Sequence, residues 1–175
     1  MKSETVVFGG GCFWCTEAVF LMFPGVLKTT VGYAGGTVAN PSYEDVCTGT
    51  TGHAEVMKLE YDPDRLALEK ILDVFFSMHD PTSLNKQGAD MGTQYRSAIY
   101  YTNDAQKDII DRFIKNVGKE YSKPIVIEVK KLDKFYPAEE HHQRYFEKNP
   151  YGGYCSFVIK PKLEKVIKEF KDDIK

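Results

Sequence analysis

Residues 5–15 of the chain read Thr5-Val6-Val7-Phe8-Gly9-Gly10-Gly11-Cys12-Phe13-Trp14-Cys15. Residues 5–8, with Val6, Val7 and Phe8 apolar, predict a β-strand, and the apolar spacing of residues 13–23 predicts an α-helix that stops before Pro24-Gly25. Three consecutive glycines between them let the backbone turn tightly from one element into the other. A strand that passes directly into a helix indicates an α/β or α+β fold.

The rest of the chain continues to alternate between predicted strands and helices. The clearest strand is residues 55–61, where Met57, Leu59 and Tyr61 lie on one face and Lys58 and Glu60 on the other. Further strands are predicted at residues 26–33, 97–101, 125–129 and 157–159, and further helices at residues 66–78, around 109–117, at 138–147 and at 163–174.

Two long segments between these elements, residues 34–52 and 79–94, are predicted to be ordered loops. Their polar and aromatic residues make them the natural place for a functional site. The sequence contains no internal repeat and no Pro/Ser-rich linker. We therefore expect one domain spanning residues 1–175.

Composition narrows the classes of function. The 175 residues are 42% hydrophobic and 27% charged, with a formal net charge of -2, so no global basic field attracts nucleic acid or a membrane surface. No apolar segment reaches membrane-spanning length, and residues 1–8 do not resemble a signal peptide. We expect a cytoplasmic protein, in which four cysteines serve catalysis, redox cycling or metal binding rather than permanent disulfides.

Cys12 is the leading candidate nucleophile. It lies at the predicted amino terminus of a helix, where the macrodipole favours a thiolate; the alternative is a small buried apolar residue. Cys15 follows three positions later on the same helix face, a spacing that suits either a redox pair or half of a zinc site. Zinc would need two more ligands from Cys47, Cys155, His141 or His142, and none of them forms a second tight pair with a cysteine.

The motif Gly11-Cys12-Phe13-Trp14 resembles the nucleophile motif of the A-class peptide methionine sulfoxide reductases. The resemblance continues in order along nearly the whole chain, through Gly32-Tyr33-Ala34-Gly35-Gly36, Asn40-Pro41-Ser42-Tyr43, Val46-Cys47-Thr48-Gly49, Gly52-His53-Ala54-Glu55, His79-Asp80-Pro81-Thr82, Gln87-Gly88-Ala89-Asp90, Gly92-Thr93-Gln94-Tyr95-Arg96-Ser97, Phe135-Tyr136-Pro137-Ala138-Glu139, His142-Gln143, Asn149-Pro150-Tyr151-Gly152 and Tyr154-Cys155.

The resemblance implies a fold and an activity. The fold is a single α+β domain with a mixed, largely antiparallel sheet and packed helices, ferredoxin-like with elaborations. The activity is that of an oxidoreductase that reduces methionine S-sulfoxide, free or in proteins, to methionine, with no cofactor and no metal. Cys12 would attack the sulfoxide sulfur. Phe13 and Trp14 would provide an aromatic wall for the substrate methyl group.

The remaining site residues implied by the resemblance act on the sulfoxide oxygen. Glu55 would be a carboxylic acid kept neutral by burial, which supplies a proton. Tyr43 and Tyr95 would donate hydrogen bonds to the same oxygen, as in an oxyanion hole. Asp90 would organise the hydrogen bonds of the site. Read from its strand position alone, Glu55 is a solvated charge.

The attack leaves Cys12 as a sulfenic acid, which a second thiol can convert to a disulfide. Two candidates remain for that thiol. Cys155 matches the carboxy-terminal cysteine segment of relatives, although residues 156–160 look like a strand and not like a mobile tail. Cys15 is three positions from Cys12, within disulfide range on a helix. The resemblance implies thioredoxin as the reductant. We also expect the protein to be a monomer.

Two other readings stay open on the residues alone. A general thiol–disulfide oxidoreductase could use Cys12 and Cys15 without Glu55, Tyr43 or Tyr95. A non-enzymatic zinc or redox-sensor module is the other. Residues outside these roles, Cys47, His53 and His142, are expected to be structural.

Overall fold

Alternating apolar residues form a six-stranded sheet in the computed structural model, which describes residues 2–175. The strands in chain order are β1 (Glu4–Gly9), β2 (Val26–Ala34), β3 (Ala54–Tyr61), β4 (Lys86–Gln87), β5 (Asp90–Met91), β6 (Ala98–Tyr101), β7 (Glu128–Lys131) and β8 (Phe135–Pro137). The main sheet has the order β7-β6-β1-β3-β2-β8, and β4 pairs with β5 separately. Neighbouring strands are antiparallel except β6 and β7, which are parallel.

The helices pack mainly on one face of the main sheet, where they share one apolar core with it. They are α1 (Phe13–Phe20), α2 (Tyr43–Cys47), α3 (Leu68–Met78), α4 (Asp104–Val117), α5 (Tyr145–Lys148) and α6 (Lys160–Glu169). Short 3-10 turns at Thr93–Tyr95, Gly118–Glu120 and Glu140–His142 and a π-helical turn at Cys155–Ile159 complete the helical structure of the described residues.

The central strands have ferredoxin-like connections. Helix α1 connects β1 to β2, and both of these strands pair antiparallel with β3, which lies between them. Helix α3 lies in the connection from β3 to β6, which pairs with the other edge of β1. The central order is therefore β6-β1-β3-β2, which is the split βαβ arrangement. Strands β7 and β8 extend the two edges. The predicted α+β fold, largely antiparallel and ferredoxin-like with elaborations, is confirmed.

The two faces of the sheet bury different side chains because residues alternate along each strand. On the helix side, Phe8, Met57 and Leu59 are fully buried against α1 and α3. On the other side, a smaller cluster that includes Val7 and Val56 is covered by the β7–β8 segment. Odd-numbered residues of β3 therefore face the helices, which turns the carboxyl group of Glu55 into the protein.

The predicted strand at residues 157–159 is wrong. Residues Cys155–Ile159 have π-helical geometry and continue directly into α6. A strand would place Phe157 on the same face as Cys155 and Ile159, but Phe157 is 84% exposed while the other two are buried. A helix resolves this conflict, because Cys155, Ile159 and Val166 then lie on one buried face.

Other predicted boundaries shift. The predicted helix at 138–147 is divided into a 3-10 turn and α5 by Arg144, whose φ is 52°. Helix α1 ends at Phe20, and the strand predicted at 125–129 begins three residues later. The predicted loop at 34–52 contains α2, which Ser42 starts with a capping box to Asp45.

The glycine turn after β1 packs tightly against β4, the first strand of the β4–β5 hairpin. Gly11 has φ of +89°, a conformation that a residue with a Cβ rarely adopts. A Cβ at this position would lie 2.9 Å from Cβ of Gln87. Gly11 therefore allows Cys12 to lie close to the residue 79–94 segment.

We expect Gly11→Ala to lower the free energy of unfolding by about 1–3 kcal/mol, because both its backbone and its contact with Gln87 become strained. The matched control is Gly49→Ala, since Gly49 also has positive φ, +77°, but a Cβ there would meet nothing within 4 Å. Urea denaturation measures both variants. Equal losses would show that packing against Gln87 contributes nothing.

Candidate active site

The pairing of β1 with β3 brings Cys12 next to Glu55. Phe8 pairs with Met57 in antiparallel register, so the chain reaches the level of Glu55 two residues beyond Phe8. The turn then starts α1, and the backbone N–H of Phe13 donates a hydrogen bond to Oε1 of Glu55 at 3.3 Å. The first free N–H groups of a helix are natural partners for such an oxygen.

Glu55 is a buried acid with one free oxygen. Its side chain is 1% exposed, and Oε2 has no hydrogen-bond partner among residues 2–175. Burial raises the pKa of Glu55 to about 8, against the lowering effect of the Phe13 N–H, with further raising by Asp90 and Cys15. Glu55 is therefore protonated at neutral pH, and the interpretation of it as a solvated charge is wrong.

Cys12 is the residue immediately before α1 and is 7% exposed. Burial raises the pKa of its thiol well above the ordinary value, and the neighbouring Cys15 and Glu55 raise it further. The backbone N–H of Trp14 acts in the opposite direction. The expectation that the helix terminus makes a resting thiolate is thus wrong, because burial outweighs it.

Two tyrosines approach Glu55 from the loops that were predicted to carry function. Tyr43 is the first residue of α2, and its backbone N–H donates to Oε2 of Glu139 at 3.2 Å. Tyr95 ends the 3-10 turn before β6. Burial raises the pKa of both phenols, and the next largest cause in each case is Glu55. Both hydroxyl groups therefore stay protonated beside the carboxyl group and can donate.

An aromatic wall continues from Cys12 along α1. Phe13 is buried, with its ring centroid 6.3 Å from that of Tyr43. Trp14 stacks on Tyr145, with centroids 3.7 Å apart and planes 6° from parallel. Its indole N–H donates to Nδ1 of His142 at 3.2 Å. The half-buried indole is therefore held in one orientation from two sides.

Asp90 lies at the other side of the site and is held by a residue that the sequence reasoning missed. The hydroxyl of Tyr154 donates to Oδ2 of Asp90 at 2.8 Å and lies 3.8 Å from Sγ of Cys15. Tyr145, too, was given no role from the sequence. The one available signal for Tyr154 was its place in a matched block beside Cys155.

The four cysteines differ in position. Cys15 and Cys155 are buried beside the site, whereas Cys47 is exposed on α2. The side chain of Cys12 lowers the pKa of Cys15 to about 7. Burial raises the pKa of Cys155, and the neighbouring Cys15 raises it further. The structure thus brings together all nine predicted site residues, namely Cys12, Phe13, Trp14, Cys15, Tyr43, Glu55, Asp90, Tyr95 and Cys155.

Two features are absent from the part of the chain that the structure describes. Within residues 2–175, no three His, Cys, Asp or Glu side chains converge as a metal site requires, so the zinc reading gains no support. The helices of the described chain are all too short or too polar to cross a membrane.

Known proteins match this chain over nearly its whole length. The peptide methionine sulfoxide reductase family model matches residues 4–174. Peptide methionine sulfoxide reductase MsrA of Trichodesmium erythraeum is 50% identical over 98% of each chain. The protein of the same name from Nautilia profundicola is 54% identical over 93% of each chain.

Solved structures agree with the sequence matches. Mxr1 from Saccharomyces cerevisiae in reduced form has a TM-score of 0.83 and 35% identity, covering 88% of this chain and 90% of that one. Methionine sulfoxide reductase A of Corynebacterium diphtheriae has a TM-score of 0.78 and 36% identity, covering 86% and 76%. This chain belongs to the peptide methionine sulfoxide reductase family, whose activity is the thiol-dependent reduction of methionine sulfoxide.

Proposed function

We propose that Cys12 attacks the sulfoxide sulfur while Glu55, Tyr43 and Tyr95 bind and protonate the sulfoxide oxygen. The observation that carries this proposal is the free Oε2 of the neutral, buried Glu55 beside Cys12. A buried polar atom without a partner costs stability, and a substrate oxygen in that place would satisfy it. A general thiol–disulfide oxidoreductase would leave this buried acid unexplained.

The chemical step moves one oxygen atom. The Cys12 sulfur attacks the sulfoxide sulfur, while the proton of Glu55 passes to the oxygen and makes the sulfur more electrophilic. The oxygen then moves to Cys12, and the thiol proton restores Glu55. The products are methionine and a Cys12 sulfenic acid. The two phenols stabilise the developing charge on the oxygen.

The aromatic wall determines what can bind. Phe13 and Trp14 present apolar faces beside Cys12 that suit the methyl group and sulfur of the substrate. Tyr145 and His142 hold Trp14 in place, so its side chain loses little conformational entropy when substrate binds. Asp90, fixed by Tyr154, keeps the opposite side of the site in order. We propose that the S epimer, free or in proteins, is the substrate.

The oxidised enzyme needs a second thiol and a reductant. Cys155 and Cys15 are the two buried candidates for the thiol. We propose thioredoxin as the reductant, because a solved structure exists of Mxr1 in complex with Trx2, and reduced Mxr1 is similar to this chain. We also propose that the protein is cytoplasmic, because its four cysteines are free thiols. We propose that it is a monomer, because the residues of the proposed cycle all belong to one chain.

Cys12→Ser should abolish the reduction of methionine sulfoxide, because a hydroxyl group is a far weaker nucleophile than a thiol. The measurement is methionine released in a single turnover, with circular dichroism to show that the variant is folded. Cys47→Ser, which changes an exposed cysteine, should release one methionine per chain as the parent does. A folded Cys12→Ser variant that releases methionine would contradict the assignment.

Glu55→Gln should slow the attack step by on the order of 10²–10⁴, the usual scale for loss of a general acid. Rapid mixing without reductant isolates that step. Glu60→Gln is the matched control, because Glu60 lies on the opposite face of the same strand. If both variants react at the parent rate, Glu55 is not the acid.

The same pair of proteins tests the protonation state of Glu55. Only the parent loses its acid as the pH rises through the Glu55 pKa of about 8. The ratio of parent to Glu55→Gln rate constants should therefore fall above that pH, while titration of Cys12 affects both enzymes. A ratio that is constant from pH 6 to pH 10 would overturn the proton-transfer role.

Trp14→Ala should raise the substrate concentration needed for half saturation by about 10- to 150-fold, since a lost aromatic contact is worth roughly 1.5–3 kcal/mol. It should leave alkylation of Cys12 by iodoacetamide within about threefold of the parent, because the thiol does not depend on the indole for its proton. Trp14→Phe keeps a ring but loses the hydrogen bond to His142. Its substrate concentration for half saturation should lie between those of the parent and of Trp14→Ala. Equal losses in binding and alkylation would indicate disturbed folding instead of a lost wall.

A further inference from the structure

Glu17 is a second buried acid beside the site, and the chemical step does not use it. It is 1% exposed and lies three positions after Trp14, on the same side of α1. In contrast to Glu55, both of its oxygens are occupied. Oε1 accepts the backbone N–H of Arg144 at 2.6 Å, and Oε2 accepts the hydroxyl of Thr29 at 2.7 Å. A carboxyl group bonded in this way joins parts of the protein and leaves its oxygens to no substrate.

The N–H that Glu17 accepts belongs to a strained turn. We call residues 142–145, which lead into α5, the clamp turn. Arg144 has φ of 52° there, a left-handed conformation that residues with a Cβ rarely adopt and that persists where surrounding contacts hold it. Gln143 supplies two such contacts, because its side chain bonds both the N–H and the carbonyl of Val31 in β2. Glu17 supplies the contact at the strained residue itself.

The clamp turn carries both contacts that orient Trp14. Its first residue, His142, accepts the indole N–H, and its last residue, Tyr145, stacks on the indole with ring centroids 3.7 Å apart. Tyr145 begins α5, a helix of four residues, which is too short to fix the position of a ring by itself. The placement of both rings therefore depends on the contacts of the turn between them.

We propose that Glu17 is a positioning residue for substrate recognition, which anchors the clamp turn and thereby holds Trp14 in the orientation that receives the substrate methyl group. This inference rests on the proposed function, because it takes Trp14 as part of the wall that binds the substrate. It extends the site from the residues that touch the substrate to a buried carboxyl group behind them.

Glu17 holds the backbone of Arg144 and not its charge. The guanidinium group of Arg144 is directed to Glu147, where Nε and Nη2 donate to the two carboxylate oxygens at 2.8 Å each. Both of these side chains are about half exposed, so their ion pair contributes little. A side chain that keeps a carbonyl oxygen should therefore replace Glu17, and a residue that tolerates positive φ should replace Arg144.

Loss of this anchor should affect substrate binding and not the chemical step. Cys12 and Glu55 are placed by the pairing of β1 with β3, in which the clamp turn takes no part. Tyr43 is held by Glu139, which precedes the clamp turn. We therefore expect the half-saturating substrate concentration to rise while the rate constant at saturation is kept.

The first test measures the single-turnover rate constant against substrate concentration. Glu17→Leu removes both acceptor oxygens and should raise the half-saturating concentration about fivefold to tenfold, with the saturating rate constant within about twofold of the parent. Glu17→Met, which also lacks an acceptor, is used beside it so that one folded variant is available. Glu17→Gln keeps a carbonyl oxygen and should stay within about twofold of the parent in both quantities. A loss in the saturating rate constant alone would overturn the proposal.

Arg144→Asn tests which part of Arg144 matters. It keeps the backbone N–H, and asparagine adopts positive φ more readily than most residues. Its half-saturating concentration should therefore lie within about twofold of the parent value. An effect as large as that of Glu17→Leu would assign the role to the guanidinium group and overturn the proposal.

Hydrogen exchange followed by NMR tests the contact directly. In Glu17→Leu, the Arg144 N–H and the indole N–H of Trp14 should exchange at least tenfold faster than in the parent, because both lose their fixed acceptors. The N–H of Phe13, which is bonded to Glu55, should exchange at the parent rate and serves as the control for global unfolding. Unchanged exchange at Arg144 and Trp14 would contradict the anchor.

A double variant separates a role through Trp14 from a general loss of stability. In the Trp14→Ala background the wall is already gone, so Glu17→Leu should raise the half-saturating concentration by no more than about twofold further. A further rise as large as that in the parent background would show that Glu17 acts elsewhere and would overturn the proposal. If Trp14→Ala alone leaves the half-saturating concentration at the parent value, the wall of the proposed function has failed, a result distinct from unchanged exchange at Arg144.

Discussion

The arrangement of the site depends on the antiparallel pairing of β1 with β3. That pairing fixes the position at which the glycine turn ends and α1 begins, and it places the first N–H of the helix against Glu55. The same sheet positions the core beneath the site, with Phe8 and Met57 paired directly. A shift of one residue in this register would turn Glu55 to the other face of the sheet and separate it from Cys12. The nucleophile and the acid are therefore coupled by a backbone ladder and not by a flexible loop.

Burial is the second constraint. It raises the pKa of both Glu55 and Cys12, which helps the acid and hinders the nucleophile. It keeps the Glu55 carboxyl protonated, as an acid should be, and it also keeps Cys12 protonated, as a nucleophile should not be. The resting enzyme is consequently a pair of neutral groups, which costs less in a desolvated pocket than a pair of charges. A polar S=O group entering the pocket supplies a hydrogen-bond acceptor for the acid.

Local patterns were enough to predict the strand–turn–helix unit and the strand of residues 55–61. The same alternation places Glu55 in register with Met57, a sign of burial that a charged residue obscures. What local patterns could not show depends on distant contacts. Trp14 is held by His142, 128 positions away. The segment Cys155–Ile159 is helical, with Cys155 and Ile159 buried in the shared core and Phe157 exposed. The roles of the site residues came from resemblance to a family and not from periodicity.

The aromatic wall has one consequence for the study of this molecule. Trp14 is the single tryptophan of the chain, so all indole fluorescence originates beside Cys12, in contact with Tyr145 and His142. Emission intensity and wavelength therefore report on the pocket itself, and a change in ring stacking or in the charge of a neighbouring sulfur alters the signal directly. The protein carries its own optical probe at the place where substrate, oxidation state and reductant act, and no label has to be attached.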